Sequence, residues 1–461
     1  MGTHVTEESW FGRIGGAIKG IFFGGLLTVV SVPLLFWNEG RAVHTAKGLK
    51  EGASVVVDIQ PENVDSANEG KFVHTTGETT TSDVLKDDEF NVSFNGIRLT
   101  RNVEMYQWKE NRETSREKKL GGGTRKITEY TYEKGWYPGL IDSKNFDEPQ
   151  HKNPTQSPFS TREQQADNVQ LGKFRLPDSL IDKISDEEYI ELKESNIPVG
   201  YEGRATIVRE GNDEVSQMYL SQTAVTSKEK SQPANEASDS KTSEEAVSAE
   251  DQEVLDLIAP HVEEKSAAAS EGNSSNQAEN TADLSDLESP AAAPQIGDVR
   301  VWFTATPVST VSLLSQQKAD SFTPFQTSYG TEIHTLQMGA ASAAEMIAHE
   351  ESVNRALTWA LRIGGTFIMF LGLVMILRPL VVVADVLPFL GSLVGFGTAL
   401  VAGLLTIAGS MTVIGFAWVF YRPVLGVSLL IVAAVAIYLV VSRAKKGRTG
   451  GPETLTASDL A

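Results

Sequence analysis

The sequence predicts a multipass α-helical membrane protein with four spans and a large α+β, sheet-dominated extracytoplasmic domain inserted between spans 1 and 2. Three observations predict this fold class. Long uncharged apolar runs lie near both ends of the 461-residue chain. The region between them alternates apolar and polar residues with the period of a strand. Basic residues flank the apolar runs at both ends of the chain, and the positive-inside rule then places both termini in the cytoplasm.

The first apolar run, GIFFGGLLTVVSVPLLFW, covers residues 20–37 without a charge. Its length approaches the roughly 20 residues that cross a hydrocarbon core of about 30 Å. A cleaved signal peptide is the alternative, but its apolar region is usually about 7 to 15 residues long and ends at a small-residue cleavage site, which WNEGRAVHT does not offer. We therefore expect an uncleaved span at 14–37, after a cytoplasmic N-terminus at 1–13.

Four glycines recur at every fourth position of this helix, at residues 12, 16, 20 and 24. Small residues at this spacing let two membrane helices approach closely. The pattern fits packing inside one helix bundle, and it also fits association between copies of the chain.

The second apolar region begins with a long helix at 341–377 that enters span 2. Ser342 and Glu345 have the spacing of a capping box at its start. Arg422 and Pro423 form a turn, because proline disfavours helix in the residue before it. The remaining segments are predicted, in chain order, as a membrane-associated connector at 378–399, span 3 at 400–421, span 4 at 424–442 and a basic cytoplasmic tail at 443–461.

The domain between spans 1 and 2 is predicted in two parts, 38–220 and 295–340. Segments such as FNVSFNGIRLT and TRKITEYTYEKGW are rich in β-branched and aromatic residues with period-two alternation, which is typical of antiparallel strands with one wet face. Gly121 to Gly123 lie between two such runs and predict a hairpin turn rather than a phosphate-binding loop. A helix is expected at 176–192.

An acidic segment at 221–294 interrupts the domain. Residues 227–290 contain about 16 acidic residues against about 4 lysines. Such a composition buries too little apolar area to offset the entropy of ordering, so we predict a disordered insertion. The stretch DQEVLDLIAPHVEE within it is either solvated chain or a transient helix that docks a partner.

Composition excludes several classes of function. The chain carries 60 acidic and 40 basic residues, a formal charge of −20, which argues against binding nucleic acid through its phosphates. It has no cysteine, so thiolate catalysis, disulfides and cysteine metal sites are excluded. No pair of its seven histidines has the i,i+4 spacing of a zinc-peptidase helix. We therefore predict no enzyme, no cofactor and no metal site.

Two sets of polar residues remain as candidates. The octets NEGRAVHT and NEGKFVHT repeat at residues 38–45 and 68–75. A shared metal site on His44, His74, Glu39 and Glu69 is one interpretation. The favoured interpretation is structural, with turn residues launching two similar extended segments at the membrane-proximal edge of the domain. The residues assigned this structural role are Asn38, Glu39, Gly40, Arg41, Asn68, Glu69 and Gly70.

Three charged residues lie in or beside the spans, namely Arg362, Asp385 and Arg422. Ionisable groups at membrane depth are candidates for an ion pathway. Each also lies near a predicted interface, where a long side chain reaches polar surroundings. The sequence thus predicts either pore-lining or interface charges.

Several motifs resemble the LUMA family, which comprises transmembrane protein 43 and its bacterial relatives. They occur in order along nearly all of the chain, and the acidic insertion is the main departure. The motifs are NEGRA after span 1, PENVDSANEGKFVH at 61–74, RNVEMYQWKE at 101–110, GLIDSKNFD at 139–147, HKNP at 151–154 and FYRP at 420–423.

The resemblance implies four spans, a large lumenal or periplasmic domain and no catalytic residue. It implies a membrane scaffold that self-associates and organises membrane protein complexes, with the lipid bilayer, copies of itself and other membrane proteins as partners. A cation channel or channel-associated subunit is the alternative, and a membrane-bound hydrolase is a further one. The expected location is the inner membrane with a periplasmic domain in a bacterium, or the endoplasmic reticulum or inner nuclear membrane in a eukaryote.

Overall fold

The structure is a computed structural model that describes residues 2–210, 215–222 and 291–448. Most of the predicted disordered insertion, 221–294, and most of the predicted tail, 443–461, therefore lie outside the described residues.

Five α-helices occur in the described chain. Two of them are long helices that connect the membrane segments to the domain, and α2 is a single turn inside the domain. The helices are α1 Trp10–Val55, α2 Asp178–Ile181, α3 Ala343–Ala384, α4 Pro388–Tyr421 and α5 Pro423–Arg448.

Nineteen strands occur in the same ranges. They are β1 Gly2–Glu8, β2 Val57–Asp58, β3 Phe72–Thr81, β4 Val84–Asp87, β5 Val92–Asn95, β6 Arg98–Lys118, β7 Thr124–Pro138, β8 Arg162–Gln165, β9 Val169–Leu171, β10 Phe174–Arg175, β11 Glu188–Tyr189, β12 Ala205–Glu210, β13 Val215–Leu220, β14 Val299–Thr306, β15 Thr310–Lys318, β16 Ser321–Thr323, β17 Phe325–Gln326, β18 Glu332–Ile333 and β19 Thr335–Met338.

Two antiparallel sheets form the domain, as the period-two alternation predicts. The first has eight strands in the order β1-β7-β6-β14-β13-β12, with β8 on β6 and β11 on β14. The second has seven strands in the order β10-β9-β3-β15-β16, with β19 on β15. In this second sheet β2 pairs in parallel with β3.

The core lies between these sheets. Fully buried residues of β14, such as Val301 and Phe303, share one apolar cluster with Leu313 of β15. The next residue of β15, Leu314, points to the opposite face of the sheet, because side chains alternate along a strand. There it joins a second cluster that contains Leu49 of α1 and Met346 of α3, so the two long helices are packed onto the domain.

Three helices are long and apolar enough to cross a membrane, α1, α3 and α4, among the residues that the structure describes. Span 4, predicted at 424–442, falls within α5 and stays a prediction. The capping box that the sequence predicted is present, since Ser342 accepts from the backbone N–H of Glu345 and Glu345 accepts from that of Ser342.

The structure contradicts one sequence prediction about these elements and adds detail to two others. The helix expected at 176–192 is only the single turn α2, since Leu180, Ile181 and Ile184 insert into the core and β11 then pairs with β14. The connector expected at 378–399 is helical except for the short turn at 385–387, with Pro388 at the first position of α4, where proline is tolerated. Residues 38–55, assigned to the domain, continue α1.

The N-terminal segment, predicted only as a cytoplasmic N-terminus at 1–13, contains a strand. Strand β1 pairs with β7 over its whole length, from Gly2 with Tyr130 to Glu8 with Thr124. The strands β6 and β7 form a hairpin that extends far beyond the core, and Gly121 and Gly122 make its turn with φ of 88° and 81°. We call residues 2–8, 108–118 and 124–134 the polar ribbon.

Both ends of the polar ribbon are attached to the rest of the molecule. At its base, β6 pairs with β14 up to Met105. At its tip, the Gly121 N–H donates to the carbonyl of Val386 over 3.1 Å. Ten residues of strand cover about 33 Å, while α1 rises about 39 Å over the roughly 26 residue steps from Arg13 to Glu39. The ribbon and the membrane helices therefore cover a similar distance.

Candidate functional site

A buried ionic cluster joins α1, α3 and α4 where the helices leave the apolar segments. Its centre is Glu39, which is fully buried. The guanidinium of Arg362 donates to both carboxylate oxygens, Nε to Oε1 over 2.6 Å and Nη2 to Oε2 over 2.8 Å. The indole Nε1 of Trp418 donates to the same Oε2 over 2.8 Å. Charge-assisted and bidentate bonds of this kind are the strong ones in proteins.

The cluster continues along one face of α3. Asn354, Thr358 and Arg362 recur every fourth residue, so they lie in one row on the helix. Asn38 Nδ2 donates to the Thr358 carbonyl over 3.0 Å. Arg41 donates to Asn354 Oδ1 and to Thr358 Oγ1, each over 3.0 Å. The repeat residues Asn38, Glu39 and Arg41 thus connect two helices rather than launch a strand.

Close packing accompanies the cluster. A Cβ atom on Gly40 would lie 2.6 Å from the ring of Tyr421, so only glycine lets α1 and α4 approach here. The guanidinium carbon of Arg362 lies 4.9 Å from the ring centroid of Trp359 and 5.7 Å from that of Trp418. Trp37 and Trp359 are more than half exposed. Tryptophan is enriched at membrane interfaces, so these two residues favour a position of the cluster near the domain-side end of the apolar segments.

The second copy of the octet has a different structure. Asn68 ends a short 3-10 turn at Ser66–Asn68, and Gly70, just beyond it, has φ of +75°. Strand β3 begins at Phe72, as a turn-and-strand interpretation requires. Residues 41–45, however, are helical, so the prediction of two similar extended segments is wrong. The apolar periodicity of α1 continues through the first copy and overrides its turn residues.

The two histidines of the repeat have separate surroundings. His74 Nδ1 lies 2.6 Å from Asp58 Oδ1, and its Nε2 lies 2.9 Å from the Ala341 carbonyl. The ring of His44 lies edge-to-face with that of Tyr421, with 6.0 Å between the ring centroids. Across the part of the chain that the structure describes, no group of three His, Asp or Glu residues could hold a metal ion.

A second ionic cluster lies at the opposite end of the helices. Asp385, fully buried at the end of α3, accepts from Arg13 Nη2 over 2.5 Å and from Lys118 Nζ over 2.7 Å. Arg13 also donates to the carbonyl of Gly122 over 2.6 Å. Asp385 therefore ties α1, the α3–α4 turn and the tip of the polar ribbon together.

The three candidate membrane charges thus have different roles. Arg362 and Asp385 are each part of an ion pair, at opposite ends of the helix bundle. Arg422 lines a cavity beside the first cluster. Sequence reasoning missed that Glu39 pairs with Arg362, although the charge of Glu39 directly after an apolar run and the row on α3 were available as signals.

Comparison with known proteins identifies the family. A family model described as transmembrane protein 43 matches residues 105–423. The chain belongs to the transmembrane protein 43 family. It is 29% identical over 454 residues to transmembrane protein 43 of Homo sapiens, covering 95% of this chain and 93% of the human protein. The Mus musculus protein is 28% identical over 435 residues, covering 91% and 89% of the two chains.

A more distant transmembrane protein 43 homolog, of Drosophila melanogaster, is 24% identical over 420 residues, covering 89% of this chain and 91% of the fly protein. No solved structure matches the chain. Membership of the transmembrane protein 43 family confirms the resemblance drawn from the sequence motifs. Family membership and the three long apolar helices together identify the chain as an integral membrane protein with a large sheet-rich domain.

Proposed function

We propose that the chain is a multipass membrane scaffold that associates with its own copies and organises other membrane proteins through its extracytoplasmic domain. The observation that carries this proposal is the polar ribbon. It lies between the domain and the far end of the membrane helices, and its outer half carries charges at most positions, for example Arg112, Glu113 and Arg116.

Hydrocarbon cannot accommodate such a ribbon. Charged side chains at membrane depth and open sheet edges occur where protein or water surrounds them. Residues 112–118 are exposed in the single chain, and β1 has an unpaired edge in the described sheet. A second copy supplies the missing cover, and self-association then hides the ribbons from lipid.

The domain is well placed to recruit partners. Helix α1 runs for 46 residues and α3 for 42 without a break between the membrane segments and the domain. The Glu39 cluster locks the two helices together at the interface. A domain held in this way presents one fixed surface above the bilayer, which suits an organiser of complexes in a bacterial inner membrane or in the endoplasmic reticulum and inner nuclear membrane.

The alternatives gain less support. A cation channel rests on Arg362, Asp385 and Arg422, but the first two are neutralised by ion pairs. A membrane-bound hydrolase needs converging acids and histidines, and the described residues contain no such metal-ligating group.

Site-specific crosslinking in membranes tests the proposal, because the chain has no cysteine of its own. Ser115→Cys places one thiol on the exposed ribbon, and Val199→Cys places one on the domain, where Val199 is 94% exposed. With a short bismaleimide we expect a dimer-sized adduct from Ser115→Cys and little from Val199→Cys. A monomer from Ser115→Cys, together with monomeric size in mild detergent, would contradict self-association.

A further inference from the structure

Two adjoining cavities lie beside the Glu39 cluster on its outer side. The first, about 350 Å³, lies between α1 and α3 at the interface and is lined mainly by polar side chains, including Asn354, Arg355 and Arg422. The second, about 660 Å³, lies between α3 and α4 within the membrane segments. Trp359 and Arg362 line both, so the two cavities adjoin at these side chains and together give a polar end and an apolar end.

The polar end is cationic. Arg355 and Arg422 form no ion pair with any residue in the described ranges. Glu351 is the one carboxylate among the lining residues of this cavity. Lys47 and Lys50 line a neighbouring cavity that also includes Arg422. The local charge is therefore positive, and two guanidinium groups are available to an anion.

The apolar end is a groove open to the lipid. Its lining includes Ile363, Phe367, Ile407 and Met411, and each of these side chains is more than half exposed. Lipid-facing side chains of this kind suit an acyl chain. Because the groove begins at the exposed interfacial Trp359, a chain lying in it would have its headgroup beside Arg355 and Arg422.

We propose that this composite site binds an anionic phospholipid from the leaflet that faces the domain. The phosphate would accept hydrogen bonds from Arg355 and Arg422, since arginine matches phosphate geometry with two parallel donors. One acyl chain would fill the groove between α3 and α4. Arg362 bounds the site but stays with Glu39, so lipid binding does not require the buried pair to break.

The inference is independent of the proposed scaffold role, because lipid bound per chain is counted whatever the number of chains. Purified full-length protein is reconstituted in nanodiscs that contain equal parts of phosphatidylglycerol and phosphatidylcholine. It is then released into mild detergent, and native mass spectrometry counts the lipids retained. We expect wild type to retain phosphatidylglycerol in clear preference to phosphatidylcholine.

Two classes of variant separate the two ends of the site. Arg355→Gln with Arg422→Gln should lower retained phosphatidylglycerol about tenfold or more, because two charge-assisted bonds to phosphate are lost. Ile407→Trp should fill the groove and lower retention while both arginines remain. Arg378→Gln is the matched control, since Arg378 is an exposed arginine on the same helix but at its opposite end, and it should behave as wild type.

Three results would overturn the proposal. The first is equal retention of the two lipids by wild type, and the second is unchanged retention by the double arginine variant. The third is displacement of the bound lipid by millimolar glycerol 3-phosphate without any effect of Ile407→Trp, which would indicate a soluble phosphate ligand. Melting temperatures near that of wild type would show that the variants are folded.

Discussion

Glu39 is the residue whose surroundings explain most about how the helices are held together. A buried carboxylate is tolerated only when its charge is paired and its oxygens accept hydrogen bonds. Here Arg362 and Trp418 supply three donors from two other helices. The pair therefore specifies which faces of α1, α3 and α4 meet.

Glu39→Leu should lower the free energy of unfolding by about 3 to 5 kcal/mol, because it leaves the guanidinium of Arg362 buried without a partner. Glu39→Leu combined with Arg362→Met should be milder than Glu39→Leu alone, since no charge is then stranded. Thermal or denaturant unfolding in detergent measures both. Glu62→Gln, on the exposed surface, should change the free energy of unfolding by less than about 0.5 kcal/mol. Equal loss in the single and double variants would refute this role.

His334 makes the stability of the domain depend on pH. Burial, with a smaller contribution from the positive charge of Lys183, lowers the pKa of this imidazole below 6.5. Its Nδ1 lies 2.7 Å from Ser315 Oγ, and its Nε2 lies 2.8 Å from Ser179 Oγ. Ser315 donates its hydroxyl hydrogen to the Thr323 carbonyl, so the arrangement suits a neutral ring that donates from Nδ1 and accepts at Nε2.

A histidine whose folded pKa is depressed stabilises the fold above its unfolded pKa, and the contribution is lost as pH falls through the folded value. We therefore expect the melting temperature to decrease as pH falls from about 7 to about 5. His334→Gln should make the melting temperature depend less on pH over this range. His349→Gln, at an exposed histidine, is the control and should leave the dependence unchanged. An unchanged slope in His334→Gln would show that other groups set the pH response.

Helix α1 packs against α3 through glycine at one position in particular. A Cβ on Gly24 would lie 2.5 Å from the carbonyl oxygen of Gly372, whereas a Cβ on Gly25 would meet nothing within 4 Å. Of the four regularly spaced glycines, Gly20 and Gly24 face α3, which favours packing within the bundle for that half of the pattern.

Gly24→Ala should destabilise the helix pair by about 1 to 3 kcal/mol, since backbone must move to admit the methyl group. Gly25→Ala, one residue away, should be neutral or slightly stabilising, because alanine favours helix. The melting temperature of the purified protein decides between them. If the two variants have the same melting temperature, the close approach of α1 and α3 does not explain the need for glycine at position 24.

Sequence patterns predicted the elements better than their connections. Alternation in residues 90–100 identified β5 and the start of β6, because one face of these strands is buried. The β-branched and aromatic residues of 124–136 identified β7, although most of that strand is only half-buried or exposed. The capping box predicted the start of α3 because its hydrogen bonds join residues only three positions apart, Ser342 and Glu345. The first NEG octet and residues 176–192 were misread because long-range packing decides their structure. The Glu39–Arg362 pair joins residues 323 positions apart, and no local pattern encodes such a contact.

In the whole molecule, the tip of the polar ribbon and the core of the domain lie at opposite ends of the membrane helices. Strand β1 and the β6–β7 turn lie together at the far end of the ribbon. Along the chain, the apolar span of α1 lies between β1 and the core of the domain. We therefore expect Val5→Cys and Leu120→Cys to react with an impermeant maleimide from one face of sealed vesicles, and Val199→Cys from the other. Labelling of Val5→Cys and Leu120→Cys from opposite faces would contradict the pairing of β1 with the hairpin.

The continuity of α1 has a mechanical consequence for the domain. From Trp37 to Val55 the helix extends about 27 Å beyond the interface, with no flexible linker that could absorb a rotation. Membrane helices tilt to match the thickness of their bilayer. A tilt of about 10° would move Val55 sideways by about 5 Å. The domain therefore moves with α1 when the helix tilts, and a change in bilayer thickness would displace the surface of the domain.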